Sequence, residues 1–214
     1  MGIPRKPIRL VGNPNDPDVV GVDDQTINVT VPLKEFAKEK SSELHDLSGY
    51  IFIKGSPSCG LFRVKVYNEK GFPQEEMGRG VYAKIITDTY PLLPVEEAGR
   101  LQDAVLCENF ITRVFAYQNW QSMKRSGLTA RKLVDFHSCY KYTLMAHNPQ
   151  SYNDLGRMLA DAGKQDPDKL GEKYFEALMS SLEQKASRKS NTNVLMHLQG
   201  YLKKQLNSKE KEKL

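Results

Sequence analysis

Cysteine is scarce in this chain. Its three cysteines, Cys59, Cys107 and Cys139, are odd in number and widely scattered. That excludes a disulfide framework, and the spacing is not that of a zinc site, whose ligands come in close pairs. Long apolar runs are missing too: none approaches the ~18 residues a membrane span needs. The start lacks the basic and apolar regions of a secretory signal. The expectation is a soluble cytoplasmic protein with no membrane partner. There is no internal repeat, which excludes a solenoid. Ahead of Arg188 the chain also lacks net charge. From Arg188 to Leu214 seven Lys/Arg face only Glu210 and Glu212, so the whole +5 sits there. Such a tail can attract nucleic acid weakly, or it is a solvated helix face with a frayed end.

What is present is ordinary for a globular protein: 214 residues, 39% hydrophobic and 27% charged, enough for one large domain or two small ones. The first half alternates short strands and helices. Ile8–Val11 and Val19–Val22 are short apolar runs around turn chemistry at Asn13–Pro17. Ile27, Val29 and Val31 alternate with polar residues as in a half-buried strand. A helix follows from about Pro32, with Leu33, Phe36, Ala37 and Leu44 on its apolar side. Tyr50–Lys54 and Val64–Tyr67 read as strands, and Val81 to about Tyr90 as a helix. This half implies α/β layering but is short of strands for a complete sheet.

After Pro91–Pro94 the pattern is helical throughout. Pro94, with Glu96 and Glu97 behind it, reads as a helix start. Further caps are expected at Asp103, Thr129, Asn148, Asp166 and Ser190–Thr192. The apolar stripes behind them include Leu133, Phe136 and Leu144; Leu155 and Leu159; and Leu170, Tyr174, Phe175, Leu178, Met179 and Leu182. The last stripe uses Val194, Leu195, Leu198, Tyr201, Leu202 and Leu206. The expected fold is an α/β N-terminal part with an incomplete Rossmann-like sheet, plus an all-α C-terminal helical bundle.

One stretch invites chemistry. Lys54-Gly55-Ser56-Pro57-Ser58-Cys59-Gly60 follows the apolar strand Tyr50–Ile53 and puts a cysteine on a constrained bend at a strand end. In open α/β sheets the crevice beyond strand ends is where ligands sit. The residues alone leave Cys59 as a nucleophile, a metal ligand or a small side chain filling a tight turn.

Taken together, several motifs resemble the later part of the thiouracil desulfurase family. They are Pro4-Arg5 with Ile8–Val11, the Gly55–Gly60 loop, Arg63–Tyr67, Gly78-Arg79-Gly80 and Pro91–Glu97. Asn109–Ile111 with Arg113–Tyr117 resembles the junction of long family members. Phe136-His137, Lys141, Leu144–His147 and Thr192–His197 resemble their second, YbgA-like helical domain, whose function is unsettled. The resemblance runs colinearly over nearly the whole chain. It implies residues 1–97 as the C-terminal part of a desulfurase-like α/β domain, 98–127 as a connecting helix and 128–214 as the YbgA-like domain.

The family implication is a [4Fe-4S] cluster on three cysteines. Its open iron would take the sulfur of a thiolated uracil or related thiolated base, so that water can replace it. Cys59 matches one cluster ligand and Ser56 an active-site serine. The two other family cysteines, and the glutamate beside one of them, have no counterpart here. Cys107 and Cys139 occupy positions with no known family ligand and are expected as buried or half-buried inert thiols. The chain therefore reads as a fragment at its N-terminus and also at its C-terminus, without a cluster of its own and inactive as given. The other reading is a helical binding module that recognises nucleic acid or a protein partner. His137 and His147 fall on roughly opposite sides of one helix at ~100° per residue and are expected as satisfied, partly buried side chains, which His197 could approach. Arg79, between two glycines, is an anion-binding or a surface arginine.

Overall fold

The β-hairpin at the start shows how local chemistry sets up the first unit. In the computed structural model, which describes residues 6–202 together with 206, 207 and 210, β1 (Ile8–Asn13) turns back on β2 (Asp16–Gly21). The pairing is antiparallel, with Leu10 opposite Val19 and Asn13 opposite Asp16. Asn13 Oδ1 accepts from the Asn15 amide at 2.9 Å and closes the turn. β4 (Val66–Tyr67) adds to β1 in parallel, so the sheet order is β2-β1-β4. A separate parallel pair joins β3 (Tyr50–Phe52) to β5 (Val95–Glu97).

Helices α1 (Thr30–Ser42) and α2 (Val81–Thr89) pack on each other and tie the two strand sets together. One apolar cluster gathers Leu10, Val19, Leu33, Val64, Val66 and Val81. The next gathers Ala37, Phe52, Leu61, Tyr82, Ala83 and Ile86. α1 supplies Leu33 to the first and Ala37 to the second; α2 supplies Val81 and then Tyr82, Ala83 and Ile86. Each large apolar side chain removed from water in this way contributes about 1.5–3 kcal/mol.

The expected α/β arrangement followed by helices is present. Two details of the first unit differ. Ile27–Val31 is no strand: only Asn28 bridges to Val20, and α1 already begins at Thr30. There Thr30 Oγ1 accepts from the buried Val19 amide at 2.7 Å, so a hydrogen bond to β2 fixes the helix start. Pro94–Glu97 does not open a helix. Val95–Glu97 is β5, because Tyr50–Phe52 needs a parallel partner and because Glu97, 2% exposed, accepts the Phe62 amide at 3.0 Å. Pairing at long range overrides the local acidic signal.

The chain divides into two units, Met1–Val114 and Phe115–Leu214, the division falling within α3 (Ala104–Arg125). The second unit continues through α4 (Ala130–His147), α5 (Pro149–Ala160), α6 (Pro167–Glu183) and α7 (Arg188–Leu202). The caps at Thr129, Asn148 and Asp166 accept from Lys132, Ser151 and Asp168 amides, and Asp103 accepts from Val105 and Leu106 at the head of α3.

All six stripe residues of α6 are buried. Trp120 lies flat on Phe175, with ring centres 4.6 Å apart and planes within 3°. α7 departs from expectation at both ends. Its cap is Ser187, whose Oγ accepts the Ser190 amide at 3.0 Å, so Ser190–Thr192 lie inside the helix. Leu195 and Tyr201 are exposed, and among the described side chains of the expected stripe only Val194 is buried. No described helix is long and apolar enough to cross a membrane.

Candidate functional site

The Ser56–Gly60 bend is held by its own backbone and by the start of α2. Gly55 turns the chain with φ +71°. Ser56 Oγ then accepts from the amides of Ser58 and Cys59, each at 3.2 Å, and the Ser56 carbonyl accepts from Gly60 at 2.8 Å. The loop's next carbonyls point at the first turn of α2. Pro57 accepts from Val81 at 3.1 Å, and Ser58 from Tyr82 at 2.9 Å and Ala83 at 3.2 Å. These amides are the orphan donors of a helix N-terminus, and α2 has no side-chain cap. The cysteine loop is that cap.

Such close approach demands glycine. A Cβ on Gly80 would stand 2.3 Å from the Ser58 carbonyl oxygen, and one on Gly60 would stand 2.4 Å from Val64 Cγ2 and 2.7 Å from the Ser56 carbonyl oxygen.

Cys59 is half-buried, with Sγ 3.5 Å from Ser58 Oγ. Ser58 and Cys59 border a cavity of about 470 Å³ whose other walls are Pro32, Leu33 and Phe36 of α1, Tyr50 of β3 and Tyr82 of α2. Three aromatic rings converge there: Phe36 and Tyr82 lie 6.2 Å apart, Tyr50 and Tyr82 6.3 Å. The hydroxyls of Tyr50 and Tyr82 are hydrogen-bonded at 3.1 Å. Burial, and then that bond, push the Tyr82 phenol well above its ordinary pKa, so it stays neutral. No described residue lining the cavity carries a charge.

The structure thus brings Ser56 and Cys59 into one turn, but only Cys59 reaches the cavity; the Ser56 hydroxyl oxygen faces the backbone amides of its own loop. Cys107 is half-buried on α3, as expected. Cys139 is exposed on α4, not buried, because its helical position points away from the Leu133–Phe136–Leu144 face. Arg79 is taken up by α2: it donates to Thr87 Oγ1 at 2.9 Å and lies 3.6 Å from Asp88. His137 is half-buried, with Nδ1 3.1 Å from Tyr174 Oη, and His147 Nδ1 is 2.6 Å from the Gln184 carbonyl oxygen. His197 packs against the rings of Tyr142 and Tyr201.

Phe36, Tyr50 and Tyr82 as cavity walls were not foreseeable from spacing. Phe36 sits at a helical position consistent with core, yet it is 49% exposed because the face it occupies opens on the cavity. Of the basic tail, Lys203, Lys204, Lys209, Lys211 and Lys213 lie outside the described residues, as does Pro4-Arg5.

Two family models match separate stretches of the chain. Residues 1–98 match the 2-thiouracil desulfurase family. The chain thus joins a stretch similar to 2-thiouracil desulfurases to one similar to YbgA. For the latter, residues 141–214 match a protein family of unknown function (DUF1722). The uncharacterized protein YbgA of Escherichia coli (strain K12) is 34% identical over 108 residues, half of this chain. The match spans 64% of YbgA's own length. No solved structure matches.

The residues of this first stretch do not fit an iron–sulfur cluster. Cys59 is the sole cysteine at the cavity, and no group of three His, Cys, Asp or Glu among the described residues could hold a metal ion. A four-iron cluster is held by several thiolates.

Proposed function

We propose that the desulfurase segment binds a thiolated uracil or a related thiolated base in the cavity beside Cys59. The observation that carries this reading is the cavity itself: three aromatic rings, two of them hydrogen-bonded phenols, and a thiol, with no charge among its described walls. Such a lining suits a flat, uncharged heterocycle, whose faces meet the rings and whose edge meets hydroxyl groups. A phosphorylated or carboxylated substrate would find no counter-ion among the described lining residues. The match of residues 1–98 to 2-thiouracil desulfurases supports the same substrate class.

The roles follow from position. Phe36 and Tyr82 would hold the ring, and the Tyr50–Tyr82 hydroxyls would meet its polar edge. Cys59, which corresponds to a cluster ligand in the resembling family, would lie at the sulfur end. Ser56 keeps Cys59 oriented by accepting its amide. With one thiolate of its own, this chain is expected to bind the base without desulfurating it.

Calorimetric titration of 2-thiouracil into the chain, with uracil and 2-thiouridine 5′-monophosphate as comparisons, tests the reading. Binding of the free base, weakened about tenfold or more by Phe36→Ala, is expected. No binding, or binding indifferent to Phe36→Ala, would refute it. Stable loading of four irons with turnover after anaerobic reconstitution would refute the reading that this chain's own residues do not fit a cluster.

A further inference from the structure

The second unit contains a histidine whose proton can be placed. His137, on α4, is half-buried, and its Nδ1 is 3.1 Å from Oη of Tyr174 on α6. Tyr174 is 0% exposed, and burial pushes its phenol far above the ordinary value, so it is a neutral hydroxyl. A buried O–H needs an acceptor. Among the described residues the only hydrogen-bond partner of that hydroxyl is His137 Nδ1. The phenol therefore donates and Nδ1 accepts. A neutral imidazole that accepts at Nδ1 carries its hydrogen on Nε2. Burial and then the Lys141 ammonium lower the His137 pKa, in keeping with a neutral ring.

Nε2 faces α5 at a glycine. A Cβ on Gly156 would come within 3.6 Å of it, so any side chain longer than alanine would cover the nitrogen. Glycine leaves it open to a surface pocket of about 320 Å³, lined by His137, Tyr152, Asn153, Gly156, Arg157 and Ala160. The Tyr152 ring lies nearly parallel to the imidazole, 10° between planes and 6.2 Å between centres. Arg157 meets Asp154 through one nitrogen at 3.2 Å, and Asp154 also accepts from Gln150 at 3.1 Å. The rest of the guanidinium fork is available to a ligand. The pocket thus offers a fixed N–H beside a cation, with Lys141 adding positive potential and the nearby carboxylate already engaged.

We propose that this pocket is an oxyanion site, in which the His137 Nε2–H and the Arg157 guanidinium hold the carboxylate or phosphate group of a small molecule. The same geometry denies the pocket a role as a metal site, because a metal ion needs the Nε2 lone pair that the hydrogen occupies. The site is independent of the cavity beside Cys59, and its test does not involve thiolated bases.

Long-range proton–nitrogen correlation spectra of the ¹⁵N-labelled full chain read the tautomer directly. His137 is expected as the Nε2–H form. Titration with inorganic phosphate, and separately with acetate, should then move the His137 Nε2 and Gly156 amide signals saturably. A response to phosphate alone assigns a phosphate ligand; a response to acetate alone, or to both, assigns a carboxylate or a shared oxyanion site. Arg157→Ala, an exposed substitution that leaves the core intact, should weaken the response about tenfold or more. An Nδ1–H form in the unliganded protein overturns the proposal. So does the absence of a saturable shift with either anion at tens of millimolar, or an unchanged affinity in Arg157→Ala.

Discussion

Substituting Gly80 by alanine tests whether the cysteine loop and helix α2 are one structural piece. The new Cβ would sit 2.3 Å from the Ser58 carbonyl oxygen and 2.8 Å from the Gly60 nitrogen, both backbone atoms that no rotamer change can move. To restore even a 3.0 Å contact, the loop must retreat by roughly 0.7 Å. The bonds at stake are those from Tyr82 and Ala83 to Ser58, from Val81 to Pro57 and from Gly80 to Gly60. Weakening two or three of them, at about 1 kcal/mol each with some cost for leaving amides unpaired, amounts to about 2–4 kcal/mol. Native-state hydrogen exchange reads this locally. The Val81, Tyr82 and Ala83 amides should exchange about 30- to 1000-fold faster. In a background with Cys107 and Cys139 replaced by serine, Cys59 should also react faster with a thiol reagent. Gly99→Ala, where nothing lies within 4 Å, is the control and should change neither. Exchange rates in Gly80→Ala within threefold of the parent, with unaltered Cys59 labelling, would refute the reasoning.

Two further outcomes concern the second unit. Trp120→Ala removes a ring that is 4% exposed and stacked on Phe175, and should cost about 3–5 kcal/mol in a thermal melt followed by far-UV circular dichroism; a loss below about 1 kcal/mol would contradict the packing. His137 has a folded-state pKa below its unfolded value, so as pH falls the unfolded chain takes up its proton first. Stability from this group is therefore present above about pH 6.5 and declines as pH drops below it. The decline, followed as denaturation midpoints between about pH 7.5 and about pH 5.5, should flatten in His137→Gln, and an unchanged slope there would remove His137 as its source.

What the sequence disclosed depended on how local each determinant is. Asn148-Pro149 and Asp166-Pro167 announce α5 and α6 because cap, proline and stripe all lie within a few residues of one another. Gly127 ends a helix by its own φ of +78°. Val95–Glu97 carries a local helical signal, but its strand state comes from Tyr50–Phe52, more than forty residues upstream, and from the Phe62 amide. The site shows the same split. Cys59 and Ser56 stand out within one heptapeptide. Phe36, Tyr50 and Tyr82 become walls of one cavity only when α1, β3 and α2 meet, and no periodicity marks a residue for that. The hydrogen on His137 depends on Tyr174, thirty-seven positions later on another helix.

The single tryptophan has a practical consequence. Trp120 belongs to the helical unit, and the α/β unit has none, so indole emission is a private signal of the former. The stacked Phe175 and the neighbouring Phe136 and Tyr174 rings shield it, and unfolding that unit should shift its spectrum toward the red. In the background with Cys107 and Cys139 replaced by serine, absorbance of a chromogenic thiol reagent at Cys59 reports on the other. One sample, read at two wavelengths, can therefore tell whether the halves of this chain lose their structure together or one after the other.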